Sequence, residues 1–287
     1  MTYATPQALR AALEDRLRNR STDTGVSLDR LRRRVLFERV VARLEVAEPG
    51  RWVLKGGMAL EVRLRDDARL TKDIDLGLRA EIEDTDTVQE RVVAALGVDR
   101  DGDGFEFTVS PPQVLGADGA GLVTWRIRVA SSLAGKFFGG VQLDISPRAH
   151  ELLATERLTL PNLLDFAGIP ATEVEVVDAN RHAAEKLHAM LRDFGERENT
   201  RVRDLVDLVL LVGHELLTVA IVADSVRQVW EERDGIGPPR VLPALPESWP
   251  ARYERLAVEY HVEPLTFPAA EALVGQLWAE MFQSEEI

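Results

Sequence analysis

Two aspartates, Asp73 and Asp75, stand two positions apart in the segment KDIDLG, where apolar Ile74 and Leu76 alternate with them. This alternation predicts a strand, in which residues i and i+2 project from one face with Cα atoms about 7 Å apart. Both carboxylates can then reach one divalent ion. A third acid, Asp144, alternates with apolar residues in GGVQLDISPR. These three acids are therefore the candidate ligands for Mg²⁺ or Mn²⁺.

A glycine pair, Gly56 and Gly57, follows the short apolar run WVLK and opens the helical segment GGMALEVRL. Glycine lets backbone N–H groups approach phosphate oxygens, and a helix N-terminus favours an anion. Lys55 adjoins the pair, and Arg69 and Thr71 precede the aspartates, so these side chains are candidates to reach a triphosphate. A tight turn would explain the glycines equally well. The nearby acids favour nucleotide binding.

Two later helical segments carry further charged candidates. In AAEKLHAML, Lys186 lies at the edge of an apolar stripe, from which its long side chain is predicted to extend toward an anionic cleft. In RVRDLVDLVLL, Asp204 and Asp207 are three positions apart on an otherwise apolar helix. Buried acids require partners. A structural salt bridge of either acid with Arg201 or Arg203 is the alternative to a catalytic role.

Composition restricts the classes of function. The chain has 287 residues, 45% hydrophobic residues, a net charge of −13 and no cysteine. The lack of cysteine excludes disulfides and thiolate chemistry and leaves hard oxygen ligands or histidine for a metal. The sequence has no run of about eighteen apolar residues that could span a bilayer and no signal peptide, which predicts a cytoplasmic protein with no membrane contact. The negative charge argues against a protein that coats nucleic acid. The arginine-rich stretches 16–20 and 28–44 either contact RNA locally or pair with nearby acids.

Periodicity predicts how the elements are ordered. Helical spacing predicts two helices before about residue 45, with Ser27 capping the second. Strands are predicted at WVLK, KDIDLGLRA, GLVTWRIRVASS, GGVQLDISPR and EVEVVD, and TVQERVVAALG is predicted to be helical. The segments from ANRHAAEKLHAMLRDF onward predict helices, interrupted by the Pro-rich linker GIGPPRVLPALPESWP. The predicted domains are an N-terminal helical segment (1–47), a core with a mixed sheet (48–178) and a helical domain (179–287).

The order strand, Gly-Gly, helix, Asp-x-Asp resembles the polymerase-beta-type nucleotidyltransferase fold. More narrowly, LKGGMALEVRL with ARLTKDIDLG, followed by AAEKLHAML and RVRDLVDLVLL, resembles the AbiEii/AbiGii toxin family and its mycobacterial relatives, the MenT toxins. The four motifs occur in the family's order across roughly residues 28–217. The resemblance implies an α+β nucleotidyltransferase core with flanking helices and a helical C-terminal half.

The resemblance also implies a role for particular residues. Asp73 and Asp75 would bind Mg²⁺ or Mn²⁺, Lys186 would contact the phosphates of the nucleotide, and Asp204 would act on the attacking hydroxyl. These four residues form the implied catalytic set.

For the phosphates, the resemblance implies contacts with Gly56 and Gly57. Thr71 stands where relatives carry Ser or Thr, a side chain that in some relatives takes part in phosphoryl chemistry. The pair reads Gly-Gly where many other transferases have Gly-Ser, so no hydroxyl assists there. The third acid is not uniformly assigned in these toxins. Asp144 as a metal ligand therefore rests on strand alternation.

The implied activity is that of a toxin of a type IV toxin–antitoxin pair. It would transfer a nucleotidyl group from an NTP to a hydroxyl acceptor such as the 3′ end of a tRNA and so block translation, with an AbiEi-like antitoxin as partner. Three alternatives remain open. They are a phosphotransferase that passes a γ-phosphoryl group to Thr71 or to a protein, a nucleotidyltransferase that modifies a protein or small molecule, and a non-catalytic nucleotide-binding module.

Overall fold

The computed structural model describes residues 3–69, 71–80, 84–117, 123–147, 152–195 and 197–283. The chain divides into two compact units, of which the first comprises Met1–Arg65 and Leu70–Val176 and the second comprises Asp66–Arg69 and Val177–Ile287. The N-terminal helices share the first unit with the sheet. Residues 121, 122 and 148, at the ends of two predicted strands, lie outside the described residues.

All five predicted strands and the predicted helices are present up to residue 177. In chain order the helices and strands are α1 (Pro6–Thr24), α2 (Leu28–Ala47), β1 (Trp52–Lys55), α3 (Gly56–Leu64), β2 (Asp73–Leu78), α4 (Thr85–Leu96), β3 (Phe105–Val109), β4 (Gln113–Ala117), β5 (Val123–Leu133), β6 (Lys136–Ser146), β7 (Thr155–Thr159) and β8 (Glu173–Val177).

The described strands form one mixed sheet in the order β3-β5-β6-β2-β1-β8-β7, and β4 also pairs with β5. Strand β2 runs parallel to β6 and antiparallel to β1. Strand β5 runs antiparallel to β6. The strand with the Asp-x-Asp motif is therefore central, and Ile74 and Leu76 are buried on its apolar face. The predicted mixed sheet with flanking helices is confirmed.

Three strands, β3, β4 and β7, are not predicted from the sequence pattern. Strands β3 and β7 are the two ends of the sheet order. In β7 no residue is fully buried, and in β3 only Phe105 is. A strand at the edge of a sheet needs little apolar surface, and β7 (TERLT) accordingly lacks the alternation that marks a central strand, whereas β3 (FEFTV) does alternate.

Helices α1 and α2 belong to the core of the first unit. Ser27 caps α2 as predicted, because its hydroxyl accepts the Arg30 N–H at 3.3 Å. Apolar residues of both helices share one buried cluster with the end of the β5–β6 hairpin and the segment before β8; its buried members are Leu9, Leu13, Leu17, Leu31, Val35, Phe105, Leu133, Phe138, Leu164, Ala167 and Ile169. The two helices thus cover the sheet and do not form a separate arm.

Five arginines of α2 are paired with acids. These pairs are Arg32–Glu14, Arg33–Asp29, Arg34–Glu61, Arg39–Glu38 and Arg43–Asp103. Of the two interpretations of the basic stretch 28–44, the structure therefore supports pairing with nearby acids. Several pairs are buried, because α2 packs against the sheet, α1 and α4, which together cover its polar side as well.

The second unit is helical, as predicted. Its helices are α5 (Ala179–Leu191), α6 (Val202–Gly213), α7 (Val219–Asp234), α8 (Pro250–Tyr260) and α9 (Phe267–Phe282). Residues 235–249, all described, contain no helix or strand and join α7 to α8 inside this unit. None of the described helices is long and apolar enough to cross a membrane.

Helix α5 differs from its prediction in two respects. It ends at Leu191 and not at Phe194, because Arg192 has an extended backbone. It also packs against both α6 and α7, so polar residues such as Arg181, Lys186 and His188 are buried along with its apolar stripe. A one-sided pattern cannot show that a second neighbour covers the polar side.

The buried Arg43–Asp103 pair gives a test of the first unit. Arg43 donates to Asp103 Oδ1 at 2.5 Å and to the carbonyls of Leu96 and Phe105. We expect Asp103→Ala to destabilise the unit by about 3–5 kcal/mol, because the buried guanidinium of Arg43 loses its buried acid and keeps only the more exposed Asp99 at 3.3 Å. The loss of stability is measured as a loss of hydrogen-exchange protection at the backbone amides of β5 and β6.

The matched control is Asp29→Ala, which removes the exposed pair with Arg33. An exposed i,i+4 pair contributes about 0.3–0.5 kcal/mol. Equal losses of protection in the two variants would contradict the assignment of Asp103 as a buried anchor.

Candidate active site

A row of charged residues crosses four neighbouring strands of the sheet. Lys55 of β1 pairs in register with Asp75 of β2, and Asp75 pairs with Asp144 of β6. Asp144 pairs in turn with Arg126 of β5. Side chains of residues directly opposite each other project from the same face of a sheet. The face therefore carries a row of four charged residues in which two adjacent acids lie between two cations.

Asp73 lies two residues before Asp75 on the same face and pairs in register with Gln142. Partial burial, together with the nearby charge of Asp144, raises the pKa of the Asp73 carboxyl, although Arg126, Lys72 and Arg33 oppose the shift. The anion of Asp73 is thus only partly compensated by its surroundings. A cation at this position would lower the cost of its charge.

The third acid, Asp144, lies beside Asp75 as strand alternation predicts, but its oxygens are already engaged. Arg126 donates from Nε to Oδ1 at 2.9 Å and from Nη2 to Oδ2 at 2.7 Å. This hydrogen bond, with the charges of Asp144, Asp73 and Asp75, raises the pKa of Arg126. In the described part of the chain, no three His, Asp or Glu side chains are arranged to hold one ion. Whether Asp144 binds metal stays a prediction.

The glycine pair lies against the acids. Gly56 begins α3 with a φ of +54°. A Cβ built on it would stand 1.9 Å from Asp75 Oδ2, so no other residue fits there without moving that carboxylate. Gly57 is buried in the first turn of the helix. The described N-cap residue, Lys55, makes no capping hydrogen bond through its side chain. The arrangement suits an anion at the first turn with a cation near Asp75.

Thr71 stabilises the start of β2. Its buried hydroxyl donates to the backbone carbonyl of Asp73 at 3.0 Å. This hydrogen bond orients the backbone at the start of β2, where Asp73 lies. Its predicted contact with the nucleotide stays a prediction.

The remaining predicted residues lie in the second unit, in a buried ion-pair network. Lys186 Nζ donates to Asp204 Oδ1 at 3.1 Å and lies 2.5 Å from Asp207 Oδ2. Arg69 donates from Nε to Asp207 Oδ1 at 2.5 Å and from Nη2 to Oδ2 at 2.8 Å. Arg201 lies 3.7 Å from Asp204. Two cations thus flank the wholly buried Asp207.

This network corrects two predictions. Lys186 does not extend from the edge of an apolar stripe; it is buried and held between two acids. The partner of Asp207 is not Arg201 or Arg203 but Arg69, together with Lys186. The reason is the same in both cases. Arg69 and Lys186 are far from Asp207 in sequence, so a spacing rule within one helix could not bring them together.

Mutual compensation sets the protonation of this network. Burial alone would lower the pKa of Lys186, but Asp207 and Asp204 outweigh it and raise that pKa. Burial would raise the pKa of Asp207, but Lys186 and Arg69 outweigh it and lower that pKa. Lys186 therefore remains charged while buried.

Sequence reasoning did not identify Arg126 as the partner of Asp144, and it did not identify the partners of Asp207. Arg126 carried one signal, since it lies on the polar side of an alternating strand. The register of β5 against β6 was needed to place it beside Asp144. The partners of Asp207 carried no comparable signal, because Arg69 lies in a short segment before β2 and Lys186 lies on another helix.

The close approach of Gly56 to Asp75 gives a second prediction. Gly56→Ala would incur left-handed backbone strain and would also displace the carboxylate. Gly25→Ala is the matched control, because Gly25 has a φ of +72° and open space around it. We expect Gly25→Ala to cost about 1–2 kcal/mol of unfolding free energy and Gly56→Ala to cost roughly 1–3 kcal/mol more.

Urea denaturation of both variants measures this difference. Equal unfolding free energies for the two alanine variants would show that Asp75 does not lie against the glycine.

Comparison with known proteins agrees with this geometry. The family model described as nucleotidyl transferase AbiEii toxin, type IV TA system, matches residues 39–283, beyond the span of the four motifs. Among curated proteins, none matches the chain significantly.

Solved structures are also similar to the chain. MenT4, a nucleotidyltransferase toxin from Mycobacterium tuberculosis H37Rv, is 22% identical, with a TM-score of 0.58 over 93% of this chain and 89% of that one. A protein from H. pylori described as a nucleotidyltransferase is 17% identical, with a TM-score of 0.46 over 91% of this chain and 98% of that one. The likeness to MenT4 shows a shared fold, and the predicted nucleotidyltransferase fold is confirmed. The chain belongs to the AbiEii family of nucleotidyltransferase toxins of type IV toxin–antitoxin systems, and it is a nucleotidyltransferase.

Proposed function

We propose that this toxin transfers a nucleoside monophosphate from an NTP to a hydroxyl of RNA, with the 3′ end of tRNA as the acceptor, and thereby blocks translation. Mg²⁺ or Mn²⁺ would be required. The observation that carries the proposal is the pair Asp73 and Asp75 on one face of β2, with the Asp75 carboxylate against the backbone of Gly56. An ion-binding pair and a phosphate-binding turn then adjoin each other.

The residues present fit a divalent ion. Asp73 and Asp75 offer hard carboxylate oxygens, which are the ligands that Mg²⁺ prefers. The raised pKa of Asp73 shows that its anion lacks full compensation. A bound ion would polarise the phosphates and offset their negative charge. Asp144 would become a third ligand only after leaving Arg126.

The chain's own groups have defined tasks in this reaction. The acceptor oxygen forms a bond to the α-phosphorus, the bond from that phosphorus to the bridging oxygen breaks, and pyrophosphate leaves with the electron pair. Backbone N–H groups of Gly56 and Gly57, at the first turn of α3, would hold phosphate oxygens. Lys55, in register with Asp75, would add positive charge beside them.

We extend the proposal to Lys186 and Asp204, as the resemblance implies. Lys186 would neutralise phosphate charge, and Asp204 would orient the acceptor hydroxyl and take its proton. The raised pKa of Lys186 supports a permanently charged lysine. Arg69, whose guanidinium pairs with Asp207, is kept as a candidate phosphate contact.

Membership of a type IV toxin family supports a cognate antitoxin as partner, and we propose an AbiEi-like protein in the cytoplasm. Phosphoryl transfer to Thr71 is the second candidate reaction. It would require the Thr71 hydroxyl to break its hydrogen bond to the backbone carbonyl of Asp73 and to become accessible. Modification of a protein or small molecule differs only in the acceptor.

The central prediction concerns Asp73 and Asp75. We expect Asp73→Asn and Asp75→Asn each to reduce labelling of total RNA from α-labelled NTP by about 10²–10³-fold, because charge on the reacting phosphates is no longer offset. Asp15→Asn, an exposed change on α1, is the matched control. The label is resolved on a gel for RNA and protein in parallel.

Outcomes of this assay separate the alternatives. Wild-type labelling rates in Asp73→Asn would contradict the proposal. Transfer of a γ-label instead of an α-label would indicate phosphoryl transfer, and α-label in protein would indicate another acceptor.

A further prediction follows from the pKa of Asp73. The folded protein keeps this proton to higher pH than the unfolded chain, so ionisation costs stability as pH rises from the unfolded value of 3.8 through the folded pKa. Without metal, we expect Asp73→Asn to unfold at a higher temperature than wild type at pH 7, with the difference shrinking below that window.

Added magnesium should stabilise wild type more than Asp73→Asn, which is the reverse of the difference expected without metal. It should stabilise wild type by about 2.7 kcal/mol at a concentration of 100 Kd and leave Asp73→Asn nearly unchanged. Calorimetric scans at several pH values measure both effects. A metal shift retained in the variant would exclude Asp73 as a ligand.

A further inference from the structure

The pair of Arg126 and Asp144 lies next to the proposed ion-binding acids. Its two hydrogen bonds, at 2.9 and 2.7 Å, use both carboxylate oxygens. The Asp144 side chain is 15% exposed, whereas that of Arg126 is 33% exposed. The carboxylate of Asp144 is thus mostly enclosed, and the guanidinium that is hydrogen-bonded to it retains access to solvent.

Asp144 also neighbours Asp75 directly across β2 and β6. The charge of Arg126 acts on Asp73 and Asp75 as well as on its own partner. Arginine therefore supplies the positive charge that a divalent ion would supply at the same carboxylates. Two cations that use the same oxygens exclude each other.

We propose that Arg126 is a positioning residue that competes with the divalent ion for Asp144. In the metal-free enzyme it holds Asp144 and compensates the acidic face, and the third carboxylate joins Asp73 and Asp75 around the ion only when the guanidinium withdraws. The inference rests on the proposed role of Asp73 and Asp75 in binding the ion.

A plain cross-strand salt bridge is the competing explanation. A partly exposed pair of this kind contributes little to stability. It would have no specific effect on metal affinity beyond the general attraction of an acidic face, so metal binding separates the two explanations.

Residue Arg128 provides the matched control. It lies two positions along β5 on the same face, pairs in register with Gln142 and is exposed. In the described residues its guanidinium makes no ion pair with an acid. Arg128→Gln removes the same charge from the same face without freeing Asp144.

The experiment is a Mn²⁺ titration of metal-free protein without nucleotide, followed by electron paramagnetic resonance. We expect Arg126→Gln to bind Mn²⁺ roughly tenfold or more tightly than wild type, and Arg128→Gln to change the affinity less than about twofold. Adding Asp144→Asn to Arg126→Gln should reduce the gain to the level of Arg128→Gln, because the released carboxylate is the source of the gain.

Two results would overturn the proposal. One is a gain in Arg126→Gln no larger than that in Arg128→Gln, and the other is a gain that persists in the double variant. Unfolding temperatures of all variants, with Arg126→Lys as a charge-retaining check, show whether each is folded. Loss of Mn²⁺ binding in Asp73→Asn is a separate requirement, so failure of the competition leaves the proposed transferase site intact.

Discussion

Carboxylates that share one face of a sheet repel each other, and partial burial increases the cost because less water screens them. In the first unit, Asp73, Asp75 and Asp144 are in this situation. The fold places Lys55 and Arg126 in the same strand register, so positive charge stands at both ends of the acidic row. The sheet can carry three acids because two of its strands contribute cations.

This compensation of negative charge is incomplete at Asp73. Asp73 retains a raised pKa, which means that folding disfavours the charged form of its carboxyl group. A carboxylate whose charge is left uncompensated at a cost in stability is suited to accept a cation. The glycine at the start of α3 leaves room for the Asp75 carboxylate, since any side chain there would displace it.

The second unit solves a similar problem by a different route. Asp207 is wholly buried, and its charge is balanced by Arg69 and Lys186 from other segments. Here the compensation is complete, because the acid keeps a lowered pKa and the lysine a raised one. Such a network fixes the orientation of Lys186 and Asp204.

Local patterns allowed much of the fold and part of the site to be predicted. The alternation around Asp73 and Asp144 predicts their strands and the face they share, because side-chain direction in a strand depends on adjacent residues alone. The turn at Gly56 is equally local. The pairing of Arg126 with Asp144 depends on strand register, and that of Arg69 with Asp207 on tertiary packing, so neither can be read from spacing. The edge strand β7 was missed because it buries too little to show a pattern.

The most direct test of the central claim is a crystal structure of the protein with Mn²⁺ and a non-hydrolysable NTP, using anomalous scattering to locate the ion. We predict a manganese peak coordinated by carboxylate oxygens of Asp73 and Asp75, with the triphosphate at the first turn of α3. A nucleotide bound with its manganese away from these two carboxylates would contradict the claim.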